Sequence, residues 1–165
     1  MKNLFKNCAF ILLFTTVLVS CSSSDDTFNE NNIKLNGESF TVASASIVGI
    51  SLGEDGHSGI TLVSGNSAQV KTLTIDVPTF TKETIANTYS FPEEEGVLAL
   101  DDFLTRYTYF ENNSSVSTGL KSGTVTVKHN GDNNYSVTMD LLMNDDSTFK
   151  GTYTNDFQVI FSNNQ

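Results

Sequence analysis

Alternating apolar and polar residues dominate the last third of the chain. Val125 and Val127 alternate with threonine and lysine, and a later run has an apolar side chain at every second position from Tyr135 to Met143. A period of two is typical of strands with one buried and one solvated face. The intervening residues 130–134 (Asn-Gly-Asp-Asn-Asn) tolerate positive φ, so the two runs predict a β-hairpin.

The same pattern continues to the C-terminus. Residues 144–147 predict a second turn, after which Phe149, Gly151 and Tyr153 share one face of a strand. A final strand is predicted at 157–161. The last third therefore predicts an antiparallel meander.

Shorter runs upstream bring the total to eight or nine strands. Pro78 ends one of these runs, since proline cannot donate a hydrogen bond to a neighbouring strand. Only residues 81–86 and 97–104 favour a short helical turn. The predicted upstream strands are 40–52, 60–64, 70–77, 89–91 and 103–110.

Short strands separated by frequent turns favour an all-β fold over any α/β arrangement. We predict a single antiparallel β-sandwich. An up-and-down barrel with a lipocalin-like cavity is the alternative, because consecutive hairpins can build either fold.

The N-terminus has the properties of a targeting segment. Lys2 and Lys6 precede an apolar stretch at 9–19, and these roughly 11 residues fall short of the roughly 20 that a spanning helix needs. The segment Leu18-Val19-Ser20-Cys21 then resembles the lipobox of bacterial lipoproteins. The resemblance implies cleavage after residue 20 and lipidation of Cys21 on its thiol and its new amino group. That modification carries more than one acyl chain, which anchors a protein durably to a membrane.

The residues after Cys21 bear on location. Ser22 stands where some inner-membrane lipoproteins have aspartate, so the resemblance implies the outer membrane. The tract 22–26 (Ser-Ser-Ser-Asp-Asp) is similar to a signal for surface display in some Gram-negative bacteria. The alternative is a flexible tether for a domain that faces the periplasm. We predict a signal peptide at 1–20, a lipidated tether at 21–32 and one β domain at 33–165.

Cysteine content and charge exclude several classes of function. The resemblance implies that Cys8 leaves with the signal peptide and that Cys21 is lipidated, which would leave the mature chain no thiol for a disulfide, a nucleophile or a metal site. Loss of Lys2 and Lys6 leaves seven basic residues against 19 acidic ones, a net charge of −12. Such a charge disfavours nucleic acid and anionic lipid surfaces as partners.

Candidate catalytic and metal residues are sparse. His57 lies between acids and a serine in 53–59 (Gly-Glu-Asp-Gly-His-Ser-Gly), but three glycines there favour a hairpin tip over a catalytic triad. His129 is interpreted as a turn-flanking residue. The acidic residues at 93–95 and 101–102 are interpreted as a solvated loop, with a calcium site or a glycosidase carboxylate pair as alternatives. We expect no cofactor and no metal.

Aromatic residues give a better route to a binding site. Phe103, Tyr107 and Tyr109 share one face of a predicted strand, and such a row of rings can stack on a sugar or an apolar ligand. Core packing is the competing interpretation. Arg106 falls on the opposite face. Separately, Asp146-Ser147-Thr148 matches a short bacterial O-glycosylation pattern, which makes Ser147 a candidate acceptor.

The stretches 123–127, 135–137 and 149–153 are similar to the closing meander of small uncharacterised lipoproteins from Gram-negative bacteria, a resemblance that supports the fold and implies no activity. The sequence therefore predicts a non-catalytic surface or outer-membrane lipoprotein whose β domain binds a glycan or protein ligand. The alternatives are a hydrolase that uses carboxylates alone and a lipocalin-like carrier of an apolar ligand.

Overall fold

The described residues form an all-β domain. A computed structural model describes residues 30–52, 55–66, 69–79, 81–111 and 113–162. These residues contain thirteen strands, which confirms the all-β class. None of the described segments forms a helix long and apolar enough to cross a membrane. The strands are β1 (Glu30–Asn31), β2 (Lys34–Leu35), β3 (Glu38–Ser39), β4 (Val42–Leu52), β5 (Asp55–Asn66), β6 (Gln69–Val77), β7 (Thr88–Phe91), β8 (Leu98–Ala99), β9 (Arg106–Glu111), β10 (Ser114–Gly131), β11 (Asn134–Met143), β12 (Thr148–Asp156) and β13 (Gln158–Ser162).

All thirteen strands belong to one mixed, open sheet. Its main path runs β13-β4-β5-β6-β9-β10-β11-β12-β2-β3, while β1 pairs with β12, β7 with β10 and β8 with β7. The pairs β13–β4 and β7–β8 are parallel, whereas the other pairs are antiparallel. Within the described residues the end strands β13 and β3 do not pair, so the sheet does not close into an up-and-down barrel. The sandwich of eight or nine strands is not confirmed either, because one continuous sheet carries more strands than predicted.

The long strand β10 joins two parts of the sheet. Its first half, up to Gly119, pairs with β9, and its second half, from Leu120, pairs with β11 and β7. A bulge interrupts the β10–β11 register between Leu120 and Ser122, and Gly123 follows with a φ of 149°. A Cβ on Gly123 would overlap the backbone oxygen of Asp140, so only glycine permits this close approach of the strands.

The sheet folds over so that its two parts pack against each other. The rings of Tyr107 in β9 and Phe149 in β12 have centroids 5.0 Å apart, although two strands separate β9 from β12 in the sheet. In a flat sheet, three strand spacings would hold these rings roughly 14 Å apart. Phe40 also meets Phe149 edge to face, at 5.4 Å. The inner faces of both parts therefore share one core.

The C-terminal meander follows the sequence pattern except in its last strand. β10, β11 and β12 pair in order, and Asp132 and Asp146 have the positive φ values expected in the two turns. Val137 and Leu141 are fully buried, as the alternation predicts. The predicted fourth strand of the meander, however, leaves it, because β13 pairs in parallel with β4 at the far edge of the sheet.

Upstream, the observed strands differ from the predicted ones in number and in length, because the short strands β1, β2, β3 and β8 were not predicted. β5 extends well beyond the predicted 60–64, and β9 begins at Arg106 rather than at 103. Both predicted helical turns reduce to single hydrogen bonds of helical spacing, from Ile85 N–H to the carbonyl of Thr81 (3.1 Å) and from Thr105 N–H to that of Asp101 (2.9 Å). β1 pairs with β12, so the end of the predicted tether at 21–32 lies in the sheet.

Candidate functional site

A cleft opens between the β2–β3 hairpin and the strands β6 and β9. Its volume is about 340 Å³, and its walls include Tyr107 and Tyr109 from β9, Lys71 from β6, Glu38 from β3 and Phe40. A volume of this size falls within the range of about 300–1,000 Å³ that is typical of small-molecule sites. Two of the three predicted aromatic residues, Tyr107 and Tyr109, therefore line a cleft that is large enough for a small ligand.

The two tyrosines occupy the inner face of β9 because they are two residues apart in the strand. Tyr107 is 4% exposed and packs on Phe149, whereas Tyr109 is half-buried. Their rings stack at a centroid distance of 4.9 Å with an interplanar angle of 26°. Burial, with lesser contributions from Tyr109 and Asp145, raises the pKa of the Tyr107 phenol to about 12. Tyr107 thus belongs to the core, and Tyr109 forms the accessible aromatic wall of the cleft.

Polar groups of both charges stand around this wall. Lys71 lies directly opposite Tyr109 in the antiparallel pair of β6 and β9, so the two side chains share the inner face. Lys71 is exposed, although it continues the alternation that buries Leu73 and Ile75. Neither Lys71 nor Glu38 forms an ion pair within the described part of the chain. Both charges therefore remain available to a ligand.

Ser147 also lines this cleft. It lies in the turn before β12 as expected, but it is only 9% exposed. Its N–H donates to Asp145 Oδ1 (3.0 Å), and the neighbouring Thr148 N–H donates to Asn36 Oδ1 (2.8 Å), which ties the β2–β3 turn to β12. O-glycosylation of Ser147 stays a prediction, and a glycan attached there would have to occupy the cleft.

Phe103 does not join the tyrosines. It lies in the turn before β9, is 70% exposed, and has its ring 4.8 Å from the Arg106 guanidinium carbon, a cation–π distance. Asp101 Oδ1 accepts hydrogen bonds from the N–H groups of Phe103 (2.9 Å) and Leu104 (2.7 Å). These bonds curl residues 101–105 into a turn, so the strand alternation that was predicted to start at 103 does not reach Phe103.

His57 takes part in a second cluster, on the other face of the sheet. It lies within β5, and residues 53–54 at the predicted tip fall outside the described residues. Its Nδ1 is 2.7 Å from Oδ1 of Asp76 in β6. The neighbouring Ser58 points to the opposite face, where it is fully buried and its Oγ has no hydrogen-bond partner among the described residues. His57 and Ser58 therefore do not form the nucleophile and base of a triad.

The turn at 101–105 covers Asp76 on this outer face. Asp76 is 7% exposed, its N–H donates to Thr105 Oγ1 (3.1 Å), and the N–H of Asp101 donates to its carbonyl (3.3 Å). His57, Asp76 and Asp101 each offer one possible metal-ligand atom, and these three atoms lie within 4.8 Å of one another. Burial raises the pKa of the Asp76 carboxyl; the hydrogen bond and charge of His57 lower it, and the charge of Asp101 raises it further.

The remaining candidates lie apart from both places. Residues 93–95 and Asp102 are exposed, as expected for a solvated acidic loop. His129 is exposed beside the β10–β11 turn, where its Nε2 lies 2.9 Å from the carbonyl oxygen of Asp132 and its ring stacks on Tyr135. Its interpretation as a turn-flanking residue is confirmed. Cys21 and the lipobox lie outside the described residues.

The sequence did not point to Lys71, Glu38 or Asp76. One signal was present: in β6, Lys71 falls in the register of the core residues and Asp76 in the register of the outer ones. The alternating pattern alone does not predict that Lys71 lies at the edge of a cleft. It also does not predict that a turn covers Asp76. Comparison of the chain with known protein families, with characterised proteins and with solved structures finds no match.

Proposed function

We propose that this chain is a lipid-anchored outer-membrane protein whose β domain binds a ligand without chemical conversion, in the cleft walled by Tyr109. The observation that carries the proposal is the half-buried Tyr109 ring in a cleft of about 340 Å³, beside Lys71 and Glu38, neither of which forms an ion pair with another described residue. An aromatic wall supplies contact area, while a few polar groups orient a ligand.

A glycan is the ligand class that fits these walls best. Sugar rings have an apolar face that stacks on tyrosine and hydroxyl groups that pair with lysine, carboxylate and serine side chains. Ser64 and Ser39 add hydroxyls to the lining. An apolar ligand is a poorer match, because Lys71 and Glu38 would then lose their hydration without a partner. The open sheet likewise gives the lipocalin-like carrier no closed barrel.

The hydrolase alternative depended on two carboxylates that face each other in an aromatic-lined cleft. Among the described residues, Glu38 is the single carboxylate in the lining. Asp101 lies with Asp76 on the outer face of the sheet, away from Tyr109. We therefore retain the non-catalytic proposal.

The location remains part of the proposal. The lipobox supports lipidation at Cys21, and the tract 22–26 supports display at the cell surface, with a periplasm-facing domain as the alternative. We also propose that the folded-over sheet gives the layered arrangement of a sandwich, supported by the contact of Tyr107 with Phe149 across the core. In this arrangement the cleft lies at one open edge between the layers.

A glycan array with the fluorescently labelled protein tests the proposed binding. We expect selective binding of one glycan class, with the affinity of Tyr109→Ala lower by about tenfold or more, since aromatic anchors commonly contribute above about 1.4 kcal/mol. Phe103→Ala is the matched control, because Phe103 is a more exposed aromatic residue of the adjoining turn that does not line the cleft. Equal losses in both variants, or no glycan bound by the wild type, would contradict the proposal.

Protease treatment of intact cells, with mass spectrometry of the N-terminal peptide, tests the anchor. Surface display predicts release of the domain and an acylated Cys21, and Cys21→Ala should abolish membrane retention. An acylated but protease-protected domain would support the periplasm-facing alternative. An unmodified Cys21 would contradict the lipoprotein proposal.

A further inference from the structure

We propose that His57, Asp76 and Asp101 form a binding site for a divalent transition-metal ion, best matched by Zn²⁺. The three residues come from β5, from β6 and from the turn before β9. This site lies on the outer face of the sheet and is independent of the proposed glycan cleft. No motif in the sequence indicates it, because its ligands come from three separated segments.

The first support is geometric. His57 Nδ1 and Asp76 Oδ1 are 2.7 Å apart, and all three ligand atoms lie within 4.8 Å of one another. Zinc bonds of about 2.0–2.2 Å place tetrahedral ligand atoms about 3.4 Å apart. Shifts of about 1 Å in side chains would therefore bring the three atoms around one ion. A carboxylate has two oxygens, so Asp101 can bind an ion and keep its bonds to backbone N–H groups.

The second support is the state of the Asp76 carboxylate. The side chain is 11% exposed, and its Oδ1 pairs with His57. No residue that the structure describes donates a hydrogen bond to its Oδ2. Among the described residues, the buried side-chain polar atoms without a partner are Ser58 Oγ and Tyr135 OH, so this oxygen keeps contact with solvent and is open to an ion. The unpaired oxygen belongs to the cluster that would hold the ion.

The third support is charge. Two carboxylates meet here, and within the described residues neither forms an ion pair with lysine or arginine. Arg106, on the neighbouring strand, lies over the Phe103 ring instead. Burial and the Asp101 charge both disfavour ionisation of Asp76, as the raised pKa of its carboxyl indicates. A divalent cation would neutralise both carboxylates at once, which a single histidine cannot do.

The ligand set selects the class of metal. Imidazole nitrogen with two carboxylate oxygens and no thiolate suits a borderline ion such as Zn²⁺ better than calcium, which takes six to eight oxygens. The His57 side chain is 36% exposed, so further coordination positions face water. Backbone N–H groups donate hydrogen bonds to the Asp101 carboxylate, and the Asp76 N–H donates one to Thr105. These bonds position two of the three ligands in the absence of an ion. The bound ion would clamp the turn at 101–105 to β5 and β6.

Calorimetric titration with Zn²⁺ tests this site, on protein purified without a histidine tag and treated with a chelator. We expect one ion per chain, and a loss of affinity of at least about tenfold in His57→Gln and in Asp101→Asn. His129→Gln is the matched control, because His129 is the other histidine of the chain and lies in a turn away from the cluster. It should bind Zn²⁺ as the wild type does.

Absence of binding by the wild type, or an equal loss in His129→Gln, would overturn the proposal. If a variant fails to fold, the wild type still decides the matter by nuclear magnetic resonance. Addition of Zn²⁺ should shift the imidazole resonances of His57 and leave those of His129 in place. A shift confined to His129, or none at all, would also overturn it.

Discussion

The two ends of β6 depart from the alternating pattern in opposite ways. Near its start, Lys71 occupies a position on the core face and yet is exposed, beside Tyr109 in the cleft. Near its end, Asp76 occupies a position on the outer face and yet is buried, beneath the turn that carries Asp101. The two positions are five residue steps apart, which is roughly 17 Å along an extended strand.

Lys71 and Asp76 differ in burial, and burial decides which role a polar residue can have. A charge that remains in water at the edge of a core costs the fold little and can meet a ligand. A carboxylate enclosed by the fold must find a partner within it, and His57 is the partner of the Asp76 carboxylate, while Thr105 Oγ1 accepts a hydrogen bond from the Asp76 backbone N–H. We therefore expect changes at the cleft end to alter binding and changes at the Asp76 end to alter stability.

The largest effect is expected where the core borders the cleft. Tyr107→Ala removes a ring that is 4% exposed and packs on Phe149, so we expect a loss of about 3 kcal/mol or more in the free energy of unfolding. Tyr109→Ala, at the half-buried neighbour, should cost about 1 kcal/mol. Urea unfolding measures both. Equal losses would mean that Tyr109 is a core residue and that the cleft has no accessible aromatic wall.

The next effect compares the two ends of β6 directly. Asp76→Ala removes a buried side chain and leaves His57 without its partner, and we expect a loss of about 2 kcal/mol in the free energy of unfolding. Lys71→Ala should change it by no more than about 0.5 kcal/mol, because an exposed side chain without an ion pair contributes little. The same urea experiment checks both variants. A larger loss at Lys71 than at Asp76 would reverse the comparison.

A smaller effect on stability is expected for Lys71→Leu, which should change the free energy of unfolding and glycan binding in opposite directions. Lys71→Leu extends the apolar face of β6 into the cleft, so we expect a gain of about 0.5 kcal/mol in the free energy of unfolding. The same substitution should abolish glycan binding, since it replaces the cation of the cleft with an apolar side chain. Thermal unfolding and the glycan array report the two effects. Unchanged binding would exclude the cleft as the site.

The smallest signal concerns one phenol of the five tyrosines. Burial raises the pKa of the Tyr107 phenol to about 12, because a buried phenolate would lose its hydration. Its contribution to stability is therefore complete below pH about 10 and is lost as the pH rises through about 12. Burial also raises the pKa of the Tyr89, Tyr135 and Tyr153 phenols, so absorbance of tyrosinate should show late ionisation whose amplitude is smaller by one phenol in Tyr107→Phe. A late step of equal size in that variant would contradict the burial of Tyr107.

The sequence predicted the local features well, because they depend on neighbouring residues. The alternation from Tyr135 to Met143 and the positive φ at Asp132 both follow from short-range pattern. The return of β13 to pair with β4 could not be predicted, since it joins strands more than a hundred residues apart. Similarly, Tyr107 and Tyr109 were found by periodicity, whereas Phe103 was misplaced because Asp101 accepts local hydrogen bonds that end the strand early.

The residues that complete each candidate site depend on tertiary placement. Glu38 reaches the cleft only because the β2–β3 hairpin pairs with β12, and Asp76 meets His57 only through the β5–β6 register. A histidine in a glycine-rich stretch is typical of a loop, so His57 was interpreted as part of a hairpin tip. The structure instead places it in β5, where a neighbouring strand supplies its partner.

The most direct test of glycan binding in the cleft compares the two ends of β6 in one experiment. Backbone amide resonances of the protein would be followed by nuclear magnetic resonance during titration with a panel of neutral and charged disaccharides. The account predicts that a binding sugar shifts the amides of Lys71 and Tyr109 and leaves those of Asp76 and Thr105 unchanged. Shifts centred on Asp76 and Thr105, or no shift with any sugar, would contradict the claim that the cleft end of the sheet is a glycan-binding site.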